Sequence, residues 1–168
     1  MEIRQADIRD AEGIAVVHVE SWRTTYKGIV SDEYLQSLSA EKRVEGWRRM
    51  MANLREDEDV LVIADEHGKI YGFMSFGMER DNKQAEDGEL YAVYLLEEIQ
   101  GQGWGRQLFK RMVDILKAKG FSTLLVWVLD GNPAIQFYRA MGGEVTKQKE
   151  IVIGGETHLE YALSWPQI

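Results

Sequence analysis

Gln100-Gly101-Gln102-Gly103-Trp104-Gly105-Arg106 places glycine at alternate positions within a chain of 168 residues. Before it lies Glu89-Leu90-Tyr91-Ala92-Val93-Tyr94-Leu95, an aliphatic and aromatic run that reads as a strand. After it Leu108, Met112 and Leu116 recur every four residues, joined by Phe109 and Val113. That spacing predicts a helix from about 103 to 119, with Gly120 as its stop. A glycine turn between strand and helix lets the backbone come close to a ligand and gathers several amide N–H groups in one concavity. The helix N-terminus adds partial positive charge and Arg106 a full one, which suits a phosphate or pyrophosphate. Taken bare, the same glycines also suit a flexible loop.

Two nucleotide-binding patterns do not fit. The dinucleotide fingerprint needs glycine at its first, third and sixth positions. Counted from Gly101 the sixth is Arg106, and the register from Gly103 fails as well. The P-loop pattern GxxxxGK[ST] is absent. The turn also follows an antiparallel hairpin late in the chain, without repeated strand–helix–strand halves.

Outward from the turn, the first part of the chain reads as helical. Ile3-Arg4 opens a short strand, and Asp7 or Asp10 can cap a helix to about Thr25 with Ile14, Val17, Ser21 and Trp22 on one face. Ser31 offers a cap for a short helix bearing Tyr34, Leu35 and Leu38, and Ser39 or Ala40 starts another with Val44, Trp47 and Met51. Val60 to Ala64 and Ile70 to Met78 flank Asp65-Glu66-His67-Gly68-Lys69 as a hairpin. A polar loop is expected over 80–88. Past the turn and its helix, Thr123 to Leu129 reads as a strand buried on both faces. Asn132-Pro133 signals a helix start, and Gly142-Gly143 its end. Val145 to Ile153 and Glu156 to Trp165 pair across Gly154-Gly155. The expectation is one domain over 1–168 of α+β class. Its mixed, mostly antiparallel sheet is flanked by helices in the order β-α-α-α-β-β-β-α-β-α-β-β, with one parallel crossover in the second half.

Composition narrows function. The formal net charge is −8, from 20 Lys+Arg and 28 Asp+Glu, which argues against broad binding to nucleic acid and suits cationic small molecules or basic peptides. No run reaches the ~18 apolar residues of a membrane span, and the first residues lack a signal-peptide pattern. There is no cysteine, hence no disulfide, thiolate metal site or cysteine nucleophile. A cytoplasmic location is the expectation. His18, His67 and His158 show no ligand spacing, so no metal is expected.

The stretch from Glu89 to Arg106 resembles motif A of the GCN5-related N-acetyltransferases (GNAT), whose Q/R-x-x-G-x-G/A turn is matched by Gln100, Gly103 and Gly105. Val-Trp-Val-Leu-Asp-Gly-Asn-Pro-Ala-Ile-Gln-Phe-Tyr-Arg-Ala-Met-Gly-Gly, residues 126–143, resembles the family's motif B. The element order is also that family's order. Glu97 departs from it, standing where proline is frequent.

The resemblance implies an acetyl-CoA-dependent N-acetyltransferase. Its pyrophosphate would sit on the backbone amides of Gly101, Gln102, Gly103, Trp104, Gly105 and Arg106, after Gln100. Its pantetheine would bond the backbone of Val93 and Leu95 in a gap beside the motif A strand. Asn132 would contact the cofactor, although capping a helix is an equal use for it. Tyr138 would lie near the thioester sulfur. Attack of an amine forms a tetrahedral oxyanion and expels a thiolate, and a phenol of pKa about 10 can protonate a thiolate whose acid has pKa about 8.5. A backbone N–H on the motif A strand can serve the oxyanion. From spacing alone, Tyr138 equally joins Ile135 and Met141 on an apolar helix face. Glu89 is the candidate base, or a solvated charge at a strand end. His18, His67 and His158 are rival bases, of which His67 reads as a solvated turn residue and the other two more readily as structural.

For the acceptor, the family tends to use the first helices and the C-terminal hairpin. That points to Trp22, Tyr26 and Tyr34, whose alternative is core packing. Tyr26-Lys27-Gly28-Ile29 resembles a stretch in relatives that acetylate polyamines. The reading is therefore direct acetyl transfer to the primary amine of a small cationic, polyamine-like molecule, since no thiol is present to carry an acyl group. Peptide N-termini or lysines are the alternative acceptors. A non-catalytic acyl-CoA sensor is the alternative of another class. A homodimer is compatible with the family.

Overall fold

Asp59-Val60-Leu61-Val62-Ile63-Ala64 is buried at every position, and it sets the layering of the molecule. In a strand, alternate side chains point to opposite faces. Leu61 and Ile63 therefore join Leu108, Met112 and Leu116 on one side of the sheet. Val60, Val62 and Ala64 join Ala11, Ile14, Val17 and Trp47 on the other. Helices cover both faces, so this strand has no polar side.

The computed structural model describes residues 1–81 and 87–168. Its elements are β1 (Glu2–Gln5), α1 (Ala11–Thr25), α2 (Asp32–Ser37), α3 (Ala40–Ala52), β2 (Asp59–Ala64), β3 (Ile70–Met78), β4 (Asp87–Leu95), α4 (Trp104–Ala118), β5 (Thr123–Leu129), α5 (Ala134–Ala140), β6 (Glu144–Ile153) and β7 (Glu156–Trp165). This is the expected order, with short 3-10 turns added at Ile8–Asp10 and Glu97–Ile99. The polar loop expected over 80–88 includes 82–86, which lie outside the described residues.

Two helix starts differ in detail from the sequence reading. The Asp7 carboxylate accepts from the Arg9 amide at 2.8 Å and caps the 3-10 turn, so α1 itself begins only at Ala11. Asn132 does cap α5, its Oδ1 accepting from the Ala134 amide at 2.9 Å, with the helix beginning just past Pro133.

The sheet runs β1-β2-β3-β4-β5-β7-β6. All neighbours are antiparallel except β4 and β5. That parallel pairing runs from Asp87↔Thr123 to Leu90↔Val126 and then stops. The stop has a local cause. Opposite β3, Ser75 pairs with Ala92 and Phe76 with Leu90, so Tyr91 is an extra residue in β4. Such a bulge bends its strand. Beyond it β4 stays with β3 as far as Gly72↔Leu95, while β5 stays with β7 as far as Leu129↔Glu160. A wedge opens between β4 and β5, and the glycine turn stands at its mouth.

Candidate active site

The wedge continues into a cavity of about 480 Å³. Val93 and Leu95 of β4 line one wall, Val126 and Val128 of β5 the other, and Asn132, Phe137 and Tyr138 the α5 side. Gln100, Gly101, Gly103, Gly105 and Arg106 close the end. Leu96 donates its amide to the Tyr71 carbonyl of β3 at 2.9 Å. By alternation Tyr94 also faces β3, and the backbone groups of Val93 and Leu95 turn into the wedge. The Leu95 carbonyl is already engaged, accepting from Gln100 Nε2 at 2.9 Å and Ser21 Oγ at 3.3 Å. What β4 offers a ligand is therefore the Val93 N–H and C=O and the Leu95 N–H.

The turn is built to present amides. Gly101 and Gly103 hold φ of +70° and +88°, a region that side chains disfavour. The first α4 hydrogen bond runs from Gln107 N to Gly103 O at 3.1 Å, which leaves the amides of Gly103 to Arg106 without intrahelical partners. Among the expected binding residues, the side chains of Gln102 and Trp104 turn away from the cavity. Gln102 Nε2 donates to the Glu98 carbonyl at 2.8 Å, and Trp104 packs against the core beside α4. Only their backbone belongs to the turn's amide array.

Three phenols gather where the wedge ends. The hydroxyls of Tyr26 and Tyr94 lie 3.3 Å apart, and Asn132 Nδ2 donates to Tyr26 Oη at 3.4 Å. Asn132 thus caps α5 with its oxygen and reaches the site with its nitrogen. Tyr138 is 4% exposed, packed edge-on to Phe137 and Trp165. Its hydroxyl has no hydrogen-bond partner among the described residues. Burial raises the pKa of all three phenols above their ordinary value. For Tyr138 the neighbouring Tyr26 adds to that rise.

A second cavity, of about 430 Å³, lies on the far side of these phenols. Tyr26, Tyr91, Tyr94 and Trp127 line both cavities, so the two meet there. Trp22 also lines the second cavity, whereas Tyr34 lies behind it, against Trp22 and Gly154. Glu89 lines it too, but as a buried partner of Arg80. Its Oε2 accepts from the Arg80 amide at 2.9 Å and its Oε1 from Arg80 Nε at 3.1 Å. Sequence reading missed Glu160 and Lys149, which line the same cavity from the C-terminal hairpin. No motif marks them: Lys149 lies in a mostly exposed strand and Glu160 in its half-buried partner. Burial raises the Glu160 carboxyl, against a lowering pull from Lys149.

His18 is buried between aromatic rings. It stacks on Tyr94 at 5.3 Å between centroids, and its Nδ1 accepts from Trp47 Nε1 at 3.3 Å. Burial, helped by Arg43, lowers its pKa to about 3. The unfolded chain takes up this proton near pH 6.5 and the folded chain only near 3. His18 therefore subtracts stability as pH falls through that window, by at most about 1.4 kcal/mol per pH unit. Glu79 and Glu160 are raised by burial and act in the opposite sense. Urea unfolding at pH 7, 6 and 5 is expected to show a shallower acid loss for His18→Gln than for the wild type. Equal slopes would mean that His18 is not held neutral. His67 is exposed, and His158 lies 3.8 Å from Glu156 in the hairpin. No set of three or more His, Cys, Asp or Glu able to hold a metal occurs among the described residues, and no helix among them is long and apolar enough to cross a membrane.

Comparison with known proteins agrees with this geometry. The chain is 42% identical over 166 residues to an uncharacterized N-acetyltransferase of Bacillus subtilis, YuaI, covering 99% of this chain and 93% of that protein. It is 31% identical over 152 residues to a spermidine N(1)-acetyltransferase of Thermoplasma acidophilum, covering 86% of this chain and 89% of that one. The PaiA N-acetyltransferase of Thermoplasma acidophilum, solved in complex with coenzyme A, superposes with a TM-score of 0.75 at 28% identity, over 97% of this chain and 96% of that one. The family model described as "Acetyltransferase (GNAT) family" matches residues 18–142. The chain belongs to that family and is an N-acetyltransferase.

Proposed function

We propose that the chain transfers the acetyl group of acetyl-CoA directly to a primary amine of a small cationic molecule. The observation that carries this reading is the meeting of two cavities at Tyr26, Tyr91, Tyr94 and Trp127. One cavity ends in backbone amides suited to phosphates, and the other is walled by aromatic rings and carboxylates. The spermidine N(1)-acetyltransferase relative supports the choice of acceptor class. Acetyl-CoA supplies an activated acyl thioester.

The chain's own residues supply the rest. The amides from Gly101 to Arg106, with the Arg106 guanidinium, hold pyrophosphate oxygens. Val93 and Leu95 offer backbone groups to an extended chain lying along β4, as an added strand would. An N–H of the same strand would donate to the oxygen on which negative charge develops. Tyr138, which burial keeps protonated through the neutral range, would give its proton to the departing thiolate, and the proton that the attacking ammonium loses to water would restore the phenol. Glu89, locked to Arg80, orients that guanidinium at the acceptor wall. One catalytic domain over 1–168 and a cytoplasmic setting are part of the same reading, the second resting on the absence of cysteine.

The decisive experiment measures coenzyme A release from acetyl-CoA with polyamines, amino acids and lysine-containing peptides as acceptors. Turnover with spermidine well above that with peptides is expected. Acetyl-CoA binding without turnover on any acceptor would replace the enzyme reading with a sensor module. Turnover on peptides alone would move the acceptor to a protein.

A further inference from the structure

The second cavity already contains a primary ammonium, and it belongs to the chain itself. Lys149 Nζ lies 4.0 Å from the centroid of the Trp127 ring. It is 3.3 Å from Asp81 Oδ2 and 3.5 Å from Glu160 Oε1. An aromatic face flanked by two carboxylates is the arrangement that binds an alkylammonium. We propose that this is the docking site for an ammonium of the acceptor, and that Lys149 fills it in the free enzyme and must withdraw when the acceptor enters. The proposal rests on the functional reading above and names the feature that selects the acceptor.

Three details favour this assignment. First, the other cation of the cavity is committed elsewhere: Arg80 is held by Glu89 through its amide and its guanidinium. When Lys149 leaves, Asp81 and Glu160 lose their ion-pair partner, and an incoming ammonium replaces it. Second, Lys149 is free to leave. It stands on β6, the outer strand of the sheet, and its side chain is 41% exposed. Its flexible stem needs no backbone change to swing into water, and partly exposed ion pairs of this kind hold weakly. Third, the site adjoins the chemistry, because Trp127 lines this cavity and the wedge alike. An acceptor with several ammonium groups can seat one on Trp127 and present another to the phenols.

The opposite possibility gives the opposite result. If Lys149 were instead a binding group for an acceptor carboxylate, removing its charge would weaken binding. The test is therefore Lys149→Met, which keeps the stem length and deletes the charge. Initial rates are measured with spermidine and with L-methionine as acceptors at saturating acetyl-CoA. The expected result is a KM for spermidine about tenfold lower, since no internal cation competes, with KM for acetyl-CoA unchanged. Glu160→Gln should raise KM for spermidine about tenfold or more, again without affecting acetyl-CoA. A higher KM for spermidine in Lys149→Met, or a loss of turnover confined to L-methionine, would overturn the proposal. So would an unchanged KM in both variants. Absence of turnover by the wild type with every amine would be a failure of the functional reading, and it is seen before either variant is made.

Discussion

Gly103→Val is expected to weaken coenzyme A binding by about 100-fold or more, while the protein still folds. The weakening arises from the backbone and not from a clash. A Cβ at Gly103 meets nothing within 4 Å, but φ is +88° there, a conformation a β-branched residue resists. Relief of that strain, about 1–2 kcal/mol for such a residue, rotates the peptide planes on either side. The amides of Gly103 to Arg106 would then no longer converge. Losing two charge-assisted hydrogen bonds at about 1.5 kcal/mol each corresponds to about 100-fold in affinity. Titration calorimetry with coenzyme A checks the affinity, and thermal unfolding checks the fold. Wild-type affinity in this variant would remove the turn from the cofactor site.

Tyr138→Phe carries the second large effect. The ring keeps its edge-on contacts with Phe137 and Trp165, at centroid distances of 5.3 and 6.3 Å, so packing is retained. Its hydroxyl has no hydrogen-bond partner among the described residues, so none is broken by its loss. The variant is expected to lower kcat by about 100-fold, in the range for removal of a proton donor. KM for acetyl-CoA should barely move. Burial holds the Tyr138 phenol above its ordinary value of 10, so its own ionisation lies at still higher pH. An alkaline fall in wild-type rate below pH 10 must then have another source, and Tyr138→Phe should retain it. Wild-type kcat in this variant would assign the leaving-group proton to water.

The turn and its helix were legible because their signals are local. Alternate glycines, the four-residue repeat of Leu108, Met112 and Leu116, and Asn132-Pro133 each act over a few positions of chain. The buried strand at 60–64 was equally plain. The sequence left the cap open between Asp7 and Asp10, because both offer a carboxylate and only geometry assigns Asp7 to the 3-10 turn and Asp10 to the start of α1. At Asp10 the choice is settled by Arg4, whose guanidinium binds both carboxylate oxygens at 2.7 and 2.8 Å.

The acceptor side was far less legible. Glu89 is read as a base from its place on the motif A strand, and only the structure shows that Arg80 donates to both of its oxygens. Glu160 and Lys149 carry no motif, and face the same cavity only because β7 pairs with β5 on one edge and β6 on the other. Tyr34 is aromatic and near in sequence to Tyr26, yet it supports the hairpin at Gly154 instead of lining either cavity.

By itself the sequence determined the order of strands and helices, the family and the glycine turn ahead of α4, since periodicity and backbone permissiveness are properties of neighbouring residues. Tertiary structure alone decided where β4 parts from β5, because the extra residue Tyr91 exists only relative to its partner strand β3. It also decided which charges are already spent on each other, because that depends on distances between segments remote in the chain.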